Sequence, residues 1–227
     1  MGYFKPVKGV LFDLYGTLAY IENPVDDVNL SDYLVGRGYE IYPQSLQAAF
    51  NYVAMIDYPK YGFRNWRSYL RRVFYRLGVK LDRYTLESIV RMFKATRWVA
   101  YPDAYPALEK LKSYGIKTCI VSTVASFMFK KDLKNLLKYV DVIIDGYSAG
   151  CEKSNPRMYI TALKSLNLNA NEVFMVGDNA YLDGDVPSRV GIKSVLLVRS
   201  GTIPRNIMTA RNLVEAIDMI IHGRSYI

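Results

Sequence analysis

Four short segments of this 227-residue chain carry residue types suited to nucleophilic catalysis beside a hard cation. The first is Phe12-Asp13-Leu14-Tyr15-Gly16-Thr17-Leu18, which closes the apolar run Val7–Phe12. An Asp at the C-terminal tip of a strand stands where open α/β sheets bind ligands. A glycine such as Gly16 lets the backbone turn away at once. The second is Ser122, a hydroxyl ending the run Lys117–Ser122. The third is Lys153, just ahead of a helix opened by Pro156. The fourth is Val-Gly-Asp-Asn-Ala-Tyr-Leu-Asp, with Asp178 after Gly177 and Asp183 five residues on. Two acids so placed make a hard-oxygen pocket suited to Mg²⁺. Taken singly, each has a plainer explanation: a turn Asp, a helix-capping Ser, a solvated Lys, a pair of loop acids.

Together the residues form a working set. A carboxylate attacks another anion poorly, because the charges repel. A divalent cation between Asp13, Asp178 and Asp183 would cancel that repulsion and polarise a phosphoryl group. Asp13 would then form a covalent intermediate, and Ser122 and Lys153 would bind the transferring oxygens.

The elements that must position these residues follow from apolar periodicity. Strands are expected at Val7–Phe12, Lys117–Ser122, Val142–Asp145, Val173–Val176 and Ser194–Val198. Helices are expected at Ala104–Tyr114, Phe127–Tyr139, Pro156–Leu166, Gly184–Val190 and Asn206–Ile221. This alternation predicts an α/β, Rossmann-like doubly wound parallel sheet, with functional loops at the C-terminal strand ends. Between Ile21 and Val99 the alternation stops and the pattern is helical: Tyr42–Ile56, Asn65–Leu77 and Asp82–Trp98, with Asp82 as an N-cap and Gly78 as a stop. The expected organisation is a core of residues 1–20 and 100–227 with an inserted all-helical cap of residues 21–99.

The four ordered segments resemble the motifs of the haloacid dehalogenase-like superfamily. Those motifs are Asp-x-Asp/Tyr-Gly-Thr-Leu, a strand ending in Ser or Thr, a Lys-Pro-type segment before a helix, and Gly-Asp followed by a second Asp. The resemblance runs from residue 7 to about 198, outside the cap, and includes the closing stretch Gly191–Val198. It implies a hydrolase with Asp13 as nucleophile, Thr17 in support, and the backbone carbonyl of Tyr15 completing a metal shell with Asp13, Asp178 and Asp183. Phosphatases of the family usually carry a second Asp where this chain has Tyr15. A phenol can donate a proton or touch substrate, but it is a weak base near neutrality. Tyr15 and Asn179-Ala180-Tyr181 resemble the 2-haloacid dehalogenases, in which halide leaves unprotonated and no metal is used. Asp178 argues the other way, since three converging acids with only Lys153 nearby call for a cation. Thr123 stands where those dehalogenases usually have Asn, and Ser154 replaces the third motif's proline. The favoured reading is a Mg²⁺-dependent phosphatase acting on a small phosphorylated metabolite, with 2-haloacid dehalogenase as the alternative. A non-catalytic binding module on a degenerate hydrolase fold is the third reading.

In the cap, Arg64, Arg67 and Arg71 share a helical face, which could meet a small anionic substrate or simply face solvent. Arg37 is the candidate for the dehalogenases' substrate-clamping arginine. The net charge of +9 suits an anionic partner, but no recognised nucleic-acid-binding motif appears. With two cysteines and one histidine, a disulfide framework and multi-His zinc sites are disfavoured. No apolar run reaches the roughly 18 to 20 residues needed to span a bilayer, and the N-terminal apolar stretch is short for a signal peptide. The expectation is a cytoplasmic monomer or homodimer without membrane attachment.

Overall fold

The computed structural model describes residues 6–202 and 207–223. Along the chain, β1 (Gly9–Phe12) and β2 (Ala19–Glu22) precede α1 (Asp27–Val35), α2 (Pro43–Tyr52), α3 (Tyr58–Tyr61), α4 (Trp66–Arg76) and α5 (Arg83–Ala95). Then come β3 (Arg97–Ala100), α6 (Ala104–Ser113), β4 (Lys117–Ser122), β5 (Val142–Asp145), α7 (Gly146–Ala149) and α8 (Arg157–Leu166). The chain continues through β6 (Val173–Gly177), α9 (Val186–Ser188), β7 (Lys193–Leu197), β8 (Thr209–Ala210) and α10 (Leu213–His222).

Six strands form one parallel sheet in the order β5-β4-β1-β6-β7-β8. Every residue of β1 is buried, as a central strand covered on both faces requires. The two-residue period decides which helices each side chain meets. Val10 and Phe12 pack into the cluster of Leu108 from α6 and Ile217 from α10. Leu11 faces the opposite cluster, with Met158 and Tyr159 from α8. Cys119 lies in that second cluster, a buried core thiol.

The segment between β2 and β3 has its own apolar core, built on Leu34, Leu46, Leu70, Phe74 and Ile89. Three of its helices, α1, α4 and α5, start on side-chain caps: Asp26 accepts from the Asn29 amide, Asn65 from Ser68 and Asp82 from Thr85. β2 and β3 pair antiparallel, Ala19 with Ala100 and Glu22 with Arg97. The chain therefore enters and leaves the helical insert through one two-stranded ribbon. Neither the ribbon nor α1 is among the elements expected from periodicity.

Four helix expectations need correction. Asp82–Trp98 stops as a helix at Ala95, because Arg97 and Trp98 pair with β2 in the ribbon. Phe127–Tyr139 is two short 3-10 turns, Ser126–Met128 and Leu136–Tyr139, joined by turns. Tertiary contacts override the amphipathic pattern there. Phe127 leaves to meet the Trp66 ring, and Asp132 accepts the Trp98 amide of β3. Gly184–Val190 instead begins as a π-helical segment at Ala180, which Asn179 caps, and passes into α9. The last helix starts at Leu213 on its Asn212 cap; Asn206 lies outside the described residues.

Asp57 sits in a π-helical stretch between α2 and α3, only 1% exposed. Arg76 and Arg72 of α4 both grip its carboxylate, with Arg76 Nε and Arg72 Nε each donating at 2.7 Å. These hydrogen bonds, Arg76's foremost, hold the Asp57 carboxyl well below the usual carboxylate range. Asp57→Asn is expected to lower stability by about 2–3 kcal/mol at neutral pH, read as a lower urea midpoint. A depressed carboxyl stabilises above its unfolded range and loses that contribution as pH falls. The gap between wild type and variant should therefore close below about pH 4.

Candidate active site

The sheet brings the sequence-derived residues to one edge. Asp13 follows β1, and its amide continues the ladder by donating to the Val176 carbonyl of β6 at 2.9 Å. β4 runs two residues past the last residue paired with β1, so Ser122 ends at the same side of the sheet. Its buried hydroxyl accepts the Val124 amide at 3.2 Å rather than capping a helix, the plainer role read from sequence. Asp178 follows β6, and the Asn179 cap folds the chain back so that Asp183 returns toward the strand tip. The Asn179 amide fixes Asp183 by donating to Oδ2 at 3.0 Å.

Lys153 enters from the turn before α8. It is 2% exposed, its ammonium contacts an Asp13 oxygen, and it lies 2.6 Å from Asp183 Oδ1. Asp183 Oδ1 is buried and, among the described residues, has no aligned hydrogen-bond donor beyond that ion contact. Oxygens of Asp13, Asp178 and Asp183 lie within 4.8 Å of one another. Two of these carboxylates, Asp13 and Asp183, thus share one buried ammonium, with the exposed Asp178 beside them.

The electrostatics follow. Burial, with repulsion from Asp183 and Asp178, pushes the Asp13 carboxyl up to about 7 against the pull of Lys153. Burial would lower the Lys153 ammonium, but Asp13 and Asp183 outweigh it and hold Lys153 above its ordinary value. The donor set suits a hard divalent cation: three carboxylates, one with a buried oxygen lacking a hydrogen bond.

Glycines make this convergence possible. A Cβ at Gly177 would fall 2.1 Å from Asp183 Cγ. At Gly16, where φ is +84°, it would fall 2.2 Å from Asp178 Oδ2. Gly177→Ala must therefore displace Asp183. We expect it to cut kcat/KM by about 100-fold, because a shift near 1 Å at a reacting centre has that effect.

Sequence reasoning missed Arg199, which follows β7. Its guanidinium donates to the carbonyls of Thr17 at 2.7 Å and Gly16 at 3.3 Å and pairs with Asp103 at 3.0 Å. It also lies 3.7 Å from the centre of the Tyr101 ring. Arg199 thus ties down the loop that follows Asp13. An arginine after an apolar strand carries no such signal in sequence. Thr17 is fully buried, and its hydroxyl has no partner among the described residues.

Tyr15 is half exposed and meets the edge of Trp98 from β3, centroids 6.0 Å apart. Arg37 is exposed, stacked over the Tyr33 ring at 4.2 Å. Arg67 pairs with Glu87 of α5 at 2.7 Å, and it lines with Arg71 a groove between α4 and α5. None of the three lines the cavity that opens beside Tyr15. The 3–4 spacing placed Arg67 and Arg71 on one face correctly, but helical phase alone does not say which face looks inward.

The parallel sheet, the strand-tip Asp13 and the acids Asp178 and Asp183 define a Rossmann-like α/β core with an inserted helical unit. The profile of the haloacid dehalogenase-like hydrolases matches residues 7–188, and the chain belongs to that family. It is 36% identical over 107 residues to (S)-2-haloacid dehalogenase 4A of Burkholderia cepacia, 46% of either chain. It is 34% identical over 100 residues to the phosphoglycolate phosphatase of Aquifex aeolicus, 42% of this chain and 46% of that one. The chain thus spans about half the length of these two relatives. The crystal structure of a HAD phosphatase from Thermococcus onnurineus superposes with a TM-score of 0.64 at 24% identity, covering 96% of this chain and all of that one. Among the described residues no helix is long and apolar enough to cross a membrane.

Proposed function

We propose that this hydrolase is a Mg²⁺-dependent phosphatase that cleaves small phosphate monoesters through an aspartyl-phosphate on Asp13. The observation that carries the reading is the convergence of Asp13, Asp178 and Asp183 on a space where Lys153 is the one contacting cation among the described residues. Asp13, Asp178 and Asp183 would hold the cation, together with the Tyr15 backbone carbonyl that the family resemblance implies. When bound, it offsets the surplus negative charge and polarises the phosphoryl oxygens.

The chain's own residues do the rest. An Asp13 oxygen attacks phosphorus as the ester oxygen leaves with its electron pair. Water then attacks the aspartyl-phosphate, frees inorganic phosphate and returns the Asp13 carboxylate. Lys153, already in contact with Asp13, neutralises the oxygens passing between them, and the Ser122 hydroxyl binds a further one. Tyr15 stands where a stronger acid would protonate the leaving group, so leaving groups stable as anions suit the site best.

Asp13 attacks only when ionised. With its carboxyl near 7, the rate at limiting metal should rise from pH 6 to pH 8, and saturating Mg²⁺ should move that limb to lower pH. The deciding assay is release of inorganic phosphate from an aryl phosphate with Mg²⁺ and with EDTA. Turnover that requires the metal supports the reading. Halide release from 2-chloropropionate in EDTA, without phosphate release under any metal, would sink it and establish the dehalogenase alternative that Tyr15 and the Burkholderia relative favour.

A further inference from the structure

A cavity of about 330 Å³ opens between the helical insert and the sheet, directly beside the candidate active site. Its floor is built from the same strand-tip loops: Tyr15 lies two residues beyond Asp13, and Thr123 follows Ser122. Its roof is Tyr58 and Tyr69 of the insert, and Trp98 of the ribbon closes one side. Among the described residues no charged side chain lines it, in a chain of net charge +9. Three of the insert's arginines are engaged elsewhere: Arg72 and Arg76 grip Asp57, and Arg67 pairs with Glu87. Two of the polar tips in the wall are already occupied. The Tyr58 hydroxyl donates to Asp145 Oδ2 at 2.5 Å, and the Tyr69 hydroxyl to the Phe50 carbonyl at 3.5 Å.

We infer that this cavity receives the leaving group of the substrate, and that the leaving group is an uncharged aromatic ring or a bulky apolar group. The inference rests on the phosphatase reading and names its substrate class. An apolar cavity of roughly 150 Å³ takes up benzene, so 330 Å³ accommodates a substituted ring. A sugar or a second phosphate would lose hydration there without enough donors to replace it. Aryl oxides also leave without strong protonation, which fits Tyr15 at the acid position. Chemistry at Asp13 and selection by the cavity thus point to the same esters.

The test compares kcat/KM for phenyl phosphate, glucose 6-phosphate and acetyl phosphate in wild type, Ala54→Phe and Arg71→Ala. Ala54 lines the cavity from the insert, so the added ring fills it; Arg71 lies on the outer groove. Phenyl phosphate should exceed glucose 6-phosphate by about tenfold or more in wild type. Ala54→Phe should lower the ratio of phenyl phosphate to acetyl phosphate by about tenfold, and Arg71→Ala should leave it unchanged. A ratio comes from one preparation, so partial misfolding of Ala54→Phe cancels. Equal use of glucose 6-phosphate and phenyl phosphate, or an unaltered ratio in Ala54→Phe, would overturn the cavity assignment while acetyl phosphate turnover keeps the phosphatase reading standing. No phosphate release from acetyl phosphate with Mg²⁺ would overturn the reading beneath it.

Discussion

Asp13→Asn is expected to lower kcat by at least about 10⁴-fold while making the protein more heat-resistant at pH 8 in EDTA. The loss follows from removing the proposed nucleophile, whose deletion in covalent hydrolases costs factors of this size or larger. The stabilisation follows from where the carboxylate is. Asp13 is buried beside Asp183 and Asp178, and its carboxyl is pushed up to about 7 even with Lys153 in contact. A carboxyl raised on folding binds its proton more tightly in the native state. Ionisation therefore works against folding, fully above about 7 and not at all below the unfolded value of 3.8. The neutral amide removes that cost. Tm should rise at pH 8 and scarcely differ at pH 4, and thermal scans at the two values check it. A fall in Tm at pH 8 would show that the pairing with Lys153 outweighs burial.

Lys153→Met carries the second large effect, with the opposite sign in stability. Lys153 is the buried partner of both Asp13 and Asp183. Without it, two buried carboxylates face each other uncompensated, which costs about 3–5 kcal/mol. Turnover should fall by about 10²–10³-fold, because the oxygens in transfer lose their ammonium. The variant also reports on the cation. Mg²⁺ that enters among the three acids should raise the Tm of Lys153→Met by more than it raises that of wild type. Equal shifts would argue against a metal held by these carboxylates.

The strand ending in Asp13, the strand-tip hydroxyl, the lysine and the acids Asp178 and Asp183 were legible as local features because each depends on a few consecutive residues. An apolar run ending in Asp13-x-x-Gly16, or Gly177-Asp178 followed by Asp183, keeps its local geometry whatever surrounds it. What was not legible depends on partners far along the chain. Phe127–Tyr139 has helical periodicity, yet Phe127 and Asp132 answer to Trp66 and Trp98 instead. The ribbon strands are four residues each and find one another across the whole insert. The same distance hid the cavity. Tyr15, Tyr69 and Trp98 meet only after the insert folds over the sheet, and no local spacing joins residues so far apart in the chain.

The β2–β3 ribbon also bears on how fast this chain finds its fold. β1 must pair with β4, and Gly9 and Lys117 lie about a hundred residues apart. Closing so long a loop is entropically slow, and contacts of high sequence separation retard folding. The insert has its own apolar core, and its two ends are held side by side at Ala19 and Ala100. Once it has formed, the connection between β1 and β4 behaves as a chain of a few tens of residues. A fourfold shorter loop lowers the entropic barrier by about 1.2 kcal/mol, close to a factor of ten in rate. An element that brings aromatic residues over Asp13 in the finished protein is thus also a shortcut during its assembly.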